Sequence, residues 1–104
     1  MMTETDNMLT VSIGGKHRRT YPVTIRGLRA ARAYIGRSLP GNAELICVSM
    51  GGMDMWEALY DALRYLPYEG RVSPKDAAVS LRGFNRAFEA QREQQRIRRG
   101  HNQG

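Results

Sequence analysis

Cysteine occurs once in this 104-residue chain and histidine twice. A lone Cys47 excludes an intrachain disulfide and any cysteine-rich zinc motif. It falls in the most apolar stretch of the chain, where a buried and inert thiol is expected. His17 lies in a glycine-containing loop and His101 in the tail, and no third group orients either one. A Cys–His nucleophile pair therefore has no support. No serine sits in a nucleophile motif, and neither a GxxxxGK[ST] nor a GxGxxG phosphate loop occurs. With no convergent acid, base and nucleophile, the chain is expected to be non-enzymatic and to carry no cofactor and no metal.

Long apolar runs are also absent. None approaches the roughly 18 residues of a membrane span, and Met1 to Asn7 is polar and acidic, unlike a secretion signal. The expectation is a cytoplasmic protein with no membrane contact.

Acidic residues are missing from one part of the chain in particular. Residues 14–29 hold Lys16, Arg18, Arg19, Arg26 and Arg29 and no carboxylate, while residues 82–104 hold six arginines against Glu89 and Glu93. The overall charge of +6 is therefore concentrated in two places. Segregated positive charge favours a polyanionic or acidic partner.

The apolar pattern outlines the fold. Leu9, Val11 and Ile13 alternate with polar residues, as do Tyr21, Val23 and Ile25, on either side of Gly14-Gly15-Lys16-His17-Arg18-Arg19. This predicts a β-hairpin with a basic tip. Pro22 cannot donate to a ladder, so the second strand is expected at an edge, or its proline faces outward. From Arg26 to Leu39 the period becomes helical. Leu28, Ala31, Ile35 and Leu39 form one stripe, Arg26, Arg29 and Arg37 stand opposite it, and Arg32 flanks it. Pro40-Gly41-Asn42 is expected to end this helix.

Ala43 to Met50 reads as a central strand covered on both faces, since Ile46, Cys47 and Val48 run consecutively. A helix from about Met53 to Leu66 follows. Its apolar face includes Met53, Trp56, Leu59, Tyr60, Leu63 and Leu66. The Gly51-Gly52 turn before it reads as a strand-to-helix connection, with Asp54 placed to cap and Glu57 three residues on. Asp54, Glu57 and Asp61 read as a solvated face, with Arg64 placed to pair with Asp61. Ser73-Pro74-Lys75-Asp76 opens a last helix. Its stripe is Ala77, Ala78, Leu81, Phe84 and Phe88, with Gly83 marking a kink or a break.

The fold class predicted is α+β: a small three-stranded sheet, the hairpin plus one strand, with two to three helices in the order β-β-α-β-α-α. A single domain spans residues 8–90, with a disordered N-terminus over 1–7. Residues 91–104 form a basic arm, helical or disordered. Ten helical residues there would project roughly 15 Å.

Two functions fit. In the first, Lys16, Arg18, Arg19, Arg26, Arg29, Arg37, Arg92, Arg96, Arg98 and Arg99 contact phosphates of a nucleic acid. In the second, the same arginines dock on an acidic host protein, in the manner of a phage-type inhibitor or adaptor, with Met55, Tyr65 and Tyr68 as an apolar contact. The first is slightly favoured. A homodimer through the hairpin edge or the last helix is open to either.

Overall fold

The structure is a computed structural model. It describes residues 8–15, 17–42, 45–67 and 69–102, with the side chains of 39–42 and 99–102 left aside. The expected disordered N-terminus, residues 1–7, lies outside the described residues. The elements in order are β1 (Leu9–Ile13), β2 (His17–Tyr21), α1 (Ile25–Asn42), β3 (Ile46–Met50), β4 (Met53–Asp54), α2 (Trp56–Leu63) and α3 (Pro74–Asn102). The class is α+β, with an antiparallel sheet of four strands rather than three, in the order β2-β1-β3-β4.

The fourth strand comes from the Gly51-Gly52 turn. Both glycines have positive φ, 57° and 80°, the geometry of a two-residue hairpin that glycine adopts without strain. Met53 and Asp54 pair back onto Met50 and Ser49. The turn thus links strand to strand, and α2 starts later than expected. The Asp54 carboxylate accepts the Trp56 N–H at 3.0 Å. The Met55 N–H donates to the Val48 carbonyl at 2.8 Å.

The first hairpin is also shifted. Ile13 pairs with His17 and Val11 with Arg19, so the basic residues form the edge strand itself rather than its tip. β2 lacks the apolar alternation that would have marked it, and only Tyr21 is half-buried. Val23 and Ile25 leave the sheet altogether. The Thr24 N–H donates to the Pro22 carbonyl at 2.9 Å, and Thr24 then opens α1. Its Oγ1 accepts the Gly27 N–H at 3.0 Å and its carbonyl accepts the Leu28 N–H at 2.8 Å. α1 runs through Pro40-Gly41 to Asn42 instead of stopping there.

The helices lie on one face of the sheet. Leu9, Val11, Val48 and Met50 meet Leu28, Ala31 and Ile35 of α1, Leu59 and Leu63 of α2, and Phe84 of α3. Among the described residues no element covers the other face. Cys47 is exposed there, and Thr10, Ser12 and Ser49 are half-buried. β3 is central in the sheet but covered on one side only, which corrects the expectation of a buried thiol. Met55 is fully buried in the core.

α2 is short, ending at Leu63. α3 starts as expected, with the Ser73 hydroxyl accepting the Asp76 N–H at 3.1 Å. It runs unbroken through Gly83 and is 29 residues long in all. Of its expected stripe only Phe84 is fully buried; Ala77, Leu81 and Phe88 are half-buried and Ala78 is exposed.

Two glycines should respond in opposite senses. A Cβ on Gly27 would stand 2.0 Å from the Pro22 carbonyl oxygen, so Gly27→Ala should destabilise by about 1–3 kcal/mol. A Cβ on Gly83 would meet nothing within 4 Å, so Gly83→Ala should stabilise by about 0.5–1 kcal/mol. Urea unfolding of both variants checks this; a stable Gly27→Ala protein would mean that the α1 entry relaxes.

Candidate functional site

The cations of β2 and α1 are brought to one side of the molecule by the antiparallel return of the chain from the edge strand into the helix. Arg19 pairs with the buried Val11, so its side chain leaves on the covered face. Its guanidinium carbon lies 4.3 Å from the centroid of the Tyr34 ring on α1. Such a cation–π contact contributes about 0.5–1 kcal/mol at an exposed site, and it fixes an otherwise mobile arginine. Arg37 follows Tyr34 by three residues, so the two are neighbours on the helix. Arg37 is exposed. Arg18 pairs with Ser12 and leaves on the open face, apart from this group.

At the other end of α1, Arg26 and Arg29 line a groove of about 450 Å³ with Ile25, Ala30, Val72 and Ala77. The groove lies between the first turns of α1 and α3. Arg29 Nη1 donates to the Gly70 carbonyl at 2.8 Å, which holds the guanidinium in place. Its Nε is buried and has no hydrogen-bond partner. α1 carries no acidic residue in its first turn. Its dipole therefore adds positive potential to that of the two arginines, with the Gly27 N–H already held by Thr24 Oγ1.

Among the described residues the ion pairs are Arg64 with Asp61, at 2.9 Å and as expected, and Arg96 with Glu93. Neither involves β2 or α1.

Arg32 has a different role. It is only 5% exposed, and it donates to the Leu63 carbonyl at 3.1 Å and to the Pro67 carbonyl at 3.2 Å. It ties α1 to the end of α2, sharing the Leu63 carbonyl with the Leu66 N–H, which donates to it at 3.1 Å. Its place beside the apolar stripe was the available signal.

The arm is the second cationic region. The Gln91 amide makes a long contact to Met55 Sδ, 3.7 Å, and from Arg92 to Arg98 every residue is exposed. Arg92, Arg96 and Arg98 therefore stand clear of the body. The Arg96 guanidinium holds the Glu93 carboxyl below its usual range, and Glu93 raises Arg96 in turn. That pair is intact above the ordinary carboxylate range and is lost as pH falls through the lowered Glu93 value. α3 packs against α2 and touches β4, at the sheet edge opposite β2, so the arm is not part of the α1 surface.

The apolar contact set is not assembled. Met55 is in the core, which corrects its expected place on a surface. Tyr65 is 89% exposed, and Tyr68 lies outside the described residues, as does Lys16. The side chain of Arg99 is likewise outside them. The open sheet face presents Thr10, Ser12, Arg18, Thr20, Cys47, Ser49 and Asp54, and among the described residues of these strands it carries no aromatic ring on which a base could stack. No cluster of three histidine, cysteine, aspartate or glutamate side chains suited to a metal occurs among the described residues. No helix among them is long and apolar enough to cross a membrane.

Comparison of the chain with protein-family models, with curated proteins and with solved structures returned no match.

Arg32→Met should destabilise the fold by about 1–3 kcal/mol, because the Pro67 carbonyl loses its guanidinium donor and the Leu63 carbonyl keeps only the Leu66 N–H. Thermal and urea unfolding measure this. A change near zero would show that water replaces the guanidinium and that α1 is held by its apolar face alone.

Proposed function

We propose that this protein is a non-enzymatic polyanion-binding module that holds nucleic-acid phosphates on the cationic surface of α1 and β2. The observation that carries the reading is the placement of Arg26 and Arg29 at the positive end of α1. Cations are unfavourable at a helix N-terminus, by about 0.3–1 kcal/mol each at low salt. Here Arg26 is set in the first turn with no acid beside it, and Arg29, in the next turn, has a buried, unpartnered Nε. A phosphate in the groove would turn that repulsion into attraction, since guanidinium and helix donors would then converge on one anion.

Arg19 and Arg37 extend the contact along α1, flanking Tyr34. The helix face between Arg26 and Arg37 carries the exposed Ala30, Ala33 and Gly36, so a backbone can approach it closely. Contacts of this kind fix position and affinity but read no sequence.

Stability and binding should therefore move in opposite directions. Arg26→Ala is expected to raise stability by about 0.3–1 kcal/mol and to weaken binding to labelled DNA or RNA several-fold at low salt. The slope of log affinity against log salt on duplex DNA should become shallower by about 0.9 for the lost contact. Fluorescence anisotropy across a salt series, beside urea unfolding, gives both numbers. Binding that is absent, or insensitive to salt and to Arg26, would sink this reading in favour of docking on an acidic host protein.

A further inference from the structure

We infer that the arm of α3 beyond Gln91 is a major-groove probe that makes the protein prefer duplex DNA over duplex RNA. This rests on the nucleic-acid reading above and adds to it a discriminating element separate from the α1 surface.

The first support is shape. α3 is a single helix to Asn102, and among the described residues Gln91, on Met55, is the last of its side chains to make a polar contact with the body. From Arg92 to Arg98 the helix is exposed on all sides. Eleven residues, 92–102, reach about 16 Å at 1.5 Å per residue. A free helix roughly 10–12 Å across enters the B-DNA major groove, which is about 12 Å wide. The A-form groove of duplex RNA is deep and too narrow to admit it.

The second support is what the arm lacks. Ile97, 52% exposed, is its one large apolar residue. A coiled-coil partner needs an apolar seam, and a membrane surface needs an apolar face. Neither is present. Positive charge on a helix without an apolar stripe is complementary to a phosphate-lined groove.

The third support is which side chains share a face. Arg92, Gln95 and Arg98 follow one another at intervals of three, one row along the helix. Arginine forks onto guanine O6 and N7, and glutamine onto adenine N6 and N7. At 100° per residue, Glu93 stands about 160° around the helix from Gln95. The arm's acid is thus turned away, where it pairs with Arg96.

The test compares the full-length protein on a 20-base-pair DNA duplex and on an RNA duplex of the same sequence. It is repeated with Gln95→Ala and with the charge-conserving pair Arg92→Lys and Arg98→Lys. The wild type should bind DNA at least about tenfold tighter than RNA. The arm variants should bring the two affinities together while leaving the salt slope unchanged, with circular dichroism confirming that α3 is retained. Equal affinity of the wild type for DNA and RNA overturns the inference, and so does a DNA preference that survives both arm changes. Arg26→Ala separates the two readings: it should weaken DNA and RNA alike. If it has no effect while the arm variants do, the α1 surface fails and the arm stands.

Discussion

Val11 lies directly opposite Val48 in the β1–β3 ladder, both almost wholly buried, and the rest of the molecule is arranged around that pairing. It joins strands separated in sequence by the whole of α1, so the helix must return across the sheet between them. Once α1 lies on that face, α2 and α3 complete the cover, and the opposite face is left to water. An antiparallel sheet tolerates this because its two faces can differ in polarity. The alternation in β1 and β3 is therefore strict: apolar residues point to the helices, and hydroxyls with one thiol point away. With the interior so apolar, nearly every cation is displaced outward, to the edge strand, the outer side of α1 or the arm. Arg32 is the exception, and it donates to carbonyls at and just beyond the end of α2.

The one-sided cover also explains which features could be read from the residues. Leu28, Ala31 and Ile35 announced α1, and Ser73 announced the start of α3, because apolar periodicity and capping are local properties. Hairpin register was not local. His17 to Tyr21 is polar at most positions, so its strand character comes from pairing with β1 rather than from its own pattern. Val23 and Ile25, which do alternate, were drawn into a turn by the Pro22 carbonyl and the Thr24 cap. β4 is two residues long, too short for any periodic signal, and it exists because two glycines can both take positive φ. Cys47 was misplaced because three consecutive apolar residues suggested cover on both sides. Gly83 is compatible with an unbroken α3 because nothing nearby competes for its backbone.

The candidate site was legible in composition and not in geometry. The acid-free segment stands out in the sequence, but nothing in its composition separates one arginine from another. The fold divides them. Arg18 goes to the open face, Arg19 stacks on Tyr34, and Arg26 and Arg29 border a groove that exists only because the loop before α3 returns to the start of α1. Val72 and Ala77 are far from Ile25 in sequence, and no pattern links them. Met55 was misassigned for the complementary reason: it precedes α2, and its carbonyl receives the Leu59 N–H, so its side chain is carried under the helix into the core.

Phe84 has a further consequence for how the molecule opens. It is the one fully buried side chain of α3 among the described residues, while α1, α2 and the sheet share the rest of the core. Protection of backbone amides from hydrogen exchange follows the free energy of the smallest opening that exposes them. α3 can release by withdrawing a single ring and a few half-buried contacts, leaving the β1–β3 ladder closed. Its amides near Phe84 should exchange through a sub-global event well below the unfolding of the sheet, and those beyond Gln91 by local fraying. The element that extends farthest from the body is thus also the helix that commits the fewest fully buried side chains to the core among the described residues.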